Sequence, residues 1–293
     1  MVSLEESYQH CRNVARNEAR NFYYSFTVLP PERRAAMCAI YAFMRHSDDL
    51  SDEQGFDNRR ERVAEWRREL NLALSGEYGN SPILPAFHDT VIRYRIPSRY
   101  LHELIDGIEM DLTTTRYPRF EDARLYCYRV ASTVGFICLY IWGFHDEERA
   151  IRCAEHCGVA FQWTNILRDL REDAERGRIY LPIEDLERFH YSEQELLNGV
   201  INSAFRNLMR FEVERAKLEY RAAMPLLKLV DQAGLPTLRI MMRIYQGILE
   251  QIEQLDYDVF SQRARVSTPR KITIVAEEWL GSRLPGVNLL RAS

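Results

Sequence analysis

The 293-residue sequence predicts an all-α protein, and three observations predict it. Apolar side chains recur at helical spacing, most plainly in Leu238, Met241, Met242, Tyr245, Ile248, Leu249 and Ile252, which form one stripe. Polar side chains do the same: Gln162, Asn165, Asp169 and Asp173 step by three, four and four residues and so share a helix face. The alternation expected of half-buried strands is weak throughout.

Taken in order, Ser3 and Glu6 fit a capping box that opens a first helix, whose tail carries Phe22, Tyr23, Tyr24 and Phe26. Pro30 and Pro31 break the chain, and Pro31 can start the next helix, which carries Tyr41, Arg45, Asp48 and Asp52 at steps of four, three and four. Arg59 to Leu74 is charged and amphipathic and ends in the loop SGEYGNSP. A helical pair follows over Leu84 to Thr115, closed by Tyr117 and Pro118. The most apolar stretch, Leu125 to Phe144, reads as a buried helix because Val130, Val134 and Ile137 recur at helical spacing. Its small residues Ala131, Ser132 and Gly135 permit either close helix packing or room for a long ligand. Phe161 to Pro182 carries the second acidic face, an irregular stretch runs to about Asn198, and two long helices follow. Beyond Asp256, Arg263, Arg265, Arg270 and Lys271 precede Trp279 and Leu280. That segment could be a solvated tail with one docked turn or a helix touching an anionic membrane surface.

Composition narrows the function classes. Apolar residues make up 46% and charged residues 28%, as in ordinary globular proteins. The net charge of −4 leaves no general basic excess for binding nucleic acid. The six cysteines have no framework-like spacing, and no signal peptide is evident, so a cytoplasmic protein is expected. Cys153, His156 and Cys157 sit at helical spacing with no fourth ligand and read as core rather than a metal site. The apolar runs look shorter than the roughly 18 to 20 residues that span a bilayer, so no integral membrane segment is expected. With no linker or low-complexity stretch, residues 1–293 are read as one domain.

The two acidic faces carry the chemistry. Carboxylates at i and i+4 repel one another on a bare helix. A divalent cation removes that penalty, and Mg²⁺ typically takes one or two protein carboxylates and completes its shell with water and substrate phosphate oxygens. Arg45, Arg168 and Arg178 lie beside the acids in sequence. Each can either bind phosphate oxygens through its bidentate fork or pair with a neighbouring Asp. Asp106 and Asp111 have no matched partner and receive no role.

Four collinear segments resemble the squalene/phytoene synthase family of head-to-head prenyltransferases: FYYSFTVLP from Phe22, YAFMRHSDDLSDE from Tyr41, YCYRVASTVG from Tyr126 and FQWTNILRDLREDAERGRIYLP from Phe161. The resemblance implies an all-α isoprenoid synthase bundle with a central cavity. It implies that Asp48, Asp52, Asp169 and Asp173 hold Mg²⁺ against the diphosphates of two prenyl substrates, with Arg45, Arg168 and Arg178 on phosphate oxygens and Tyr126 and Arg45 in the catalytic set. Phe22, Phe26, Tyr41, Tyr126, Val130, Ala131, Gly135, Gln162, Asn165 and Tyr245 match its cavity positions, where aromatic faces can attract a carbocation.

In that family one substrate ionises, the double bond of the other attacks its C1, and proton loss closes a cyclopropylcarbinyl diphosphate. This product then ionises and rearranges, and hydride from NADPH, proton loss or water quenches the cation. Ser132, where many carotenoid-forming relatives have Gly, directs the reading to two farnesyl diphosphates and presqualene diphosphate or squalene, with NADPH needed only for squalene. The alternative is phytoene from two geranylgeranyl diphosphates. A class I terpene cyclase would not be expected to carry YCYRVASTVG and RGRIYLP, and a non-catalytic membrane-associated relative could lose the aspartates retained here. A monomer with peripheral contact at the inner membrane face is the expected state.

Overall fold

The structure, a computed structural model, describes residues 2–19, 22–52 and 58–283. Among them, no side chain is described for positions 22, 51, 52, 282 and 283, so the expectations placed on the Phe22 and Asp52 side chains lie outside the described residues.

The described chain is helical throughout. It runs α1 Leu4–Glu18, α2 Phe22–Phe26, α3 Pro31–Asp52, α4 Arg59–Leu74, α5 Leu84–Arg93, α6 Ser98–Thr113 and α7 Phe120–Cys127. A π turn, Tyr128–Ser132, joins α7 to α8 Thr133–Trp142. Then come α9 Glu147–Arg168, α10 Leu170–Glu175, α11 Ile183–Arg188, α12 Glu193–Leu197, α13 Ser203–Ala223, α14 Leu235–Gln254 and α15 Thr268–Arg283. Only two isolated bridges, Arg116 with Ile179 and Phe144 with Val230, have β pairing among the described residues.

Local chemistry explains the boundaries. Ser3 and Glu6 close the capping box on α1, satisfying two of the N–H groups a helix start leaves open. Pro31 is the first residue of α3, where its missing N–H costs nothing. α13 starts under the side chain of Asn202, which accepts from the Phe205 N–H at 2.9 Å.

Three sequence expectations change. The apolar stretch is not a uniform helix. Five residues widen into the π turn, and together α7, the turn and α8 make a 23-residue run, Phe120–Trp142, long and apolar enough by length and composition to cross a membrane. Of its most apolar part, 56% is buried inside the bundle, as in a core helix. The irregular stretch to Asn198 contains the short helices α11 and α12, the latter with its own capping box at Ser192 and Glu195. The basic segment after Asp256 ends in the 16-residue helix α15, which packs on α14 and α2 rather than trailing as a tail with one docked turn.

The buried side chains form two clusters. One is built on α1, α3, α5, α6 and α8, the other on the second half of α9 with α13 and α14. Phe161 of α9 packs against both.

Candidate active site

α9 places Phe161, Gln162 and Asn165 toward the interior, and α13 backs it along much of its length. Thr164 anchors that contact with a 2.9 Å hydrogen bond between its hydroxyl and that of Tyr220. The helix does not continue unbroken to Asp173. Asp169 leaves helical geometry at φ −105° and ψ 16°, and α10 restarts at Leu170. The chain barely rotates, because the Asp173 N–H still donates to the Asp169 carbonyl at 3.0 Å. Gln162, Asn165, Asp169 and Asp173 therefore keep their common face and line one polar recess of about 260 Å³.

Asp48 and Arg45 enter the same recess from α3, and Tyr126, Arg178 and Val130 join it from other elements. Below it lies an apolar cavity of about 290 Å³. Arg45, Asp48, Val130, Gln162 and Asn165 border both spaces, which makes the recess the mouth of the cavity. Phe26, Tyr41, Ala131, Gly135 and Tyr245 line the cavity wall. The Phe161 and Tyr245 rings stack there, 4.3 Å between centroids and 12° apart in plane.

The mouth is electrostatically loaded. Burial, and after it the charge of Asp169, pushes the Asp173 carboxyl up to about 7, while Arg178 and Arg176 pull it down. Arg168 donates from Nε to Asp169 at 2.7 Å and does not line the mouth. Arg263, from the segment before α15, also reaches Asp169 at 2.8 Å and Glu172 at 2.9 Å. Arg45 lines the mouth while bound to Glu18 at 2.7 Å and Asp49 at 2.6 Å. Arg178 donates to the Asp111 carbonyl at 3.2 Å.

Sequence reasoning assigned Asp111 no role, and the structure places it in the mouth with Arg176 and Tyr180. The cause is long-range. Residues after α6 pair with residues after α10, with the Ile179 N–H on the Thr115 carbonyl at 3.0 Å and the Ile183 N–H on the Tyr117 carbonyl at 2.9 Å. That pairing stacks Tyr126 on Tyr180, 4.9 Å between centroids, beside Asp111. A buried phenol needs an acceptor, and this requirement was the available signal.

Ser132 is fully buried, donates to the Glu155 carbonyl at 2.8 Å and does not line the cavity. Its hydroxyl serves the packing of the π turn on α9. Cys153 and Cys157 are buried and unbridged, as the core reading expected. His156 Nδ1 lies 2.5 Å from Glu219.

The family model for squalene/phytoene synthase matches residues 15–270. A 15-cis-phytoene synthase of Synechocystis sp. is 38% identical across 97% of this chain and 87% of its own. Another, from Synechococcus elongatus, is 39% identical across 93% and 92%. A crystal structure of a dehydrosqualene synthase in complex with ligand has a TM-score of 0.87 at 26% identity, covering 94% of this chain and 96% of its own. The squalene synthase HpnC from Alicyclobacillus acidocaldarius has a TM-score of 0.81 at 29% identity, covering 88% and 97%.

Proposed function

The chain belongs to the squalene/phytoene synthase family, and on that premise we propose that it joins two geranylgeranyl diphosphates head to head to give phytoene. The observation that carries the reading is the junction of an apolar cavity with a mouth of carboxylates and arginines, which suits a long hydrocarbon bearing a diphosphate. The chain length follows the phytoene synthases at 38% and 39% identity, and replaces the farnesyl reading that rested on Ser132.

A divalent cation fits the mouth. Asp48, Asp169 and Asp173 border it, and the buried Asn165 Oδ1 at its floor accepts no hydrogen bond from the described residues. An ion such as Mg²⁺ takes one or two protein carboxylates and leaves other positions for phosphate. When bound, Mg²⁺ supplies positive charge against the leaving diphosphate.

The side chains divide the remaining work. Arg45 and Arg178 orient the diphosphates at the mouth, so that the C1–O bond breaks with its electron pair leaving on oxygen. Phe161 and Tyr245 present ring faces to the allylic cation, and the apolar wall keeps water from it. The second substrate's double bond supplies the electrons for the new bond, and proton loss closes the cyclopropane. After the second diphosphate leaves, loss of a further proton ends the sequence at phytoene, so this reading needs no NADPH.

The test is product analysis with Mg²⁺ and each of farnesyl and geranylgeranyl diphosphate, with and without NADPH. Phytoene from geranylgeranyl diphosphate, independent of NADPH, is expected. A C30 product from farnesyl diphosphate alone would overturn the assignment in favour of the squalene branch.

Such a product is insoluble in water, and α15 suits delivery to lipid. Ile272, Trp279 and Leu280 are 54%, 41% and 42% exposed at i, i+7 and i+8, and Arg265 and Arg270 are exposed near its start. A monomer resting on an anionic membrane face through this helix is part of the reading. Trp279→Ala is expected to reduce sedimentation with phosphatidylglycerol vesicles, and unchanged sedimentation would remove α15 from the contact.

A further inference from the structure

The cavity has a direction, and several of its walls agree on it. Arg45 and Asp48 of α3, Val130 of the π turn, and Gln162 and Asn165 of α9 border the mouth as well as the cavity. Met37 of α3, Leu139 and Trp142 of α8, Ala154 of α9 and Leu238 of α14 border the cavity alone. On α3 and α9 the second group lies turns away from the first, so these residues form the deep end. From Val130 to Trp142 the chain advances twelve residues, roughly 18 Å at the α-helical rise. Trp142 is the bulkiest side chain of the deep group.

Trp142 is held where it stands. Its carbonyl accepts a hydrogen bond from Arg33, at the opposite end of α3 from Asp48. Gly234, just before α14, lies so close that a Cβ there would meet the indole Cγ at 2.8 Å. The next residue turns the chain out through Gly143 at φ +82°, where the Asp231 N–H donates to the Gly143 carbonyl at 2.9 Å. The ring can therefore neither retreat toward α14 nor follow a shift of α8.

The indole is also an expensive choice. It is 3% exposed, and its N–H has no acceptor among the described residues, a condition that costs about 1–3 kcal/mol. Phe or Leu would line an apolar wall without that cost. What Trp adds is bulk at the deep end.

We propose that Trp142 is the end stop that sets the longest prenyl chain the cavity accepts. The proposal rests on the prenyl diphosphate reading of the site and adds the residue that determines length. A chain one isoprene unit too long meets the indole before its diphosphate reaches Asp48, Asp169 and Asp173. Shortening the side chain extends the cavity at the end away from the reacting atoms and leaves the mouth unchanged.

The experiment compares wild type with Trp142→Phe, Trp142→Leu and Trp142→Ala. Turnover of C15, C20 and C25 prenyl diphosphates is measured with Mg²⁺, and calorimetry gives dissociation constants of the corresponding thiolodiphosphates, which resist ionisation. A hydrophobic pocket discriminates a single methylene by about 10–200-fold, so Trp142→Ala is expected to raise the C25 to C20 binding ratio by at least about tenfold. Leu should fall between, and binding of C20 should change only a few fold. An unchanged ratio in a variant with wild-type helicity overturns the end stop. If Ala does not fold, the same ratio in the Leu and Phe variants decides. Wild type inert toward every substrate would overturn the proposed reaction, while the thiolodiphosphate ratios would still decide the end stop.

Discussion

Tyr180 donates a 2.8 Å hydrogen bond to one oxygen of Asp111, and Tyr126 donates to the other at 3.1 Å. One carboxylate of α6 thus fixes two phenols from separate parts of the chain. Burial, with the Asp111 charge after it, raises both phenols well above their usual range, so they remain neutral donors. Tyr126→Phe and Asp111→Asn are each expected to lower kcat about 10²-fold, the scale of losing one preorganised polar group. Because the groups act as a unit, the double variant should be little worse than the poorer single one. Additive losses, measured as diphosphate release, would show that they act separately.

Asp169 has Arg168 and Arg263 on its oxygens, and Asp48 faces it across the mouth. On the proposed reading, removing either carboxylate takes away negative charge that would hold a divalent cation beside phosphate. Asp48→Ala and Asp169→Ala are each expected to cut Mg²⁺-dependent diphosphate release by about 10³-fold while leaving the helical circular dichroism intact. Retained turnover in either would remove that residue from the metal site.

Much of this site is written in local spacing. The steps from Tyr41 to Asp48 and from Gln162 to Asp173 placed those side chains on common faces, and the break at Asp169 did not undo the second face. Ser3, Pro31 and the α14 stripe marked helix starts and a buried face for the same local reasons. Asp111 was invisible because nothing near it in sequence singles it out, and only the pairing of residues 115–118 with 179–184 brings Tyr180 to it. The π turn was invisible too, since the Thr133 N–H on the Tyr128 carbonyl is a consequence of packing against α9. Ser132 faces α9 through that same packing, donating to the Glu155 carbonyl.

That contact is tight enough to predict a cost. A Cβ on Gly158 would lie 2.6 Å from the Ser132 backbone nitrogen, so α9 or the π turn must move to admit it. Gly158→Ala is expected to destabilise by about 1–3 kcal/mol, as overpacking does, and to lower Tm by about 2–4 °C per kcal/mol in thermal melts. Ser132→Gly should leave product chain length unchanged, since Ser132 does not line the cavity. A changed product would restore the role that the sequence reading gave it.

Behind α9, Glu212 of α13 accepts from the Trp163 Nε1–H at 3.2 Å, and Arg215 bridges it to Asp185 at 2.6 and 2.7 Å. Glu212 is fully buried, and burial pushes its carboxyl up to about 8 against the pull of Arg215, with Asp185 adding to the rise. The folded state therefore binds a proton that the unfolded chain, with its carboxyl near 4.5, has released. Between those two values the unfolded state binds fewer protons, so stability falls as pH rises, by at most about 1.4 kcal/mol per unit, and levels off above 8. Glu212→Gln keeps the shape without the titration. Melts of wild type and variant from pH 5 to 9 should show a wild-type decline toward pH 8 that the variant lacks, with the gap closing in acid. Parallel curves would mean that Glu212 stays ionised throughout, held by Arg215.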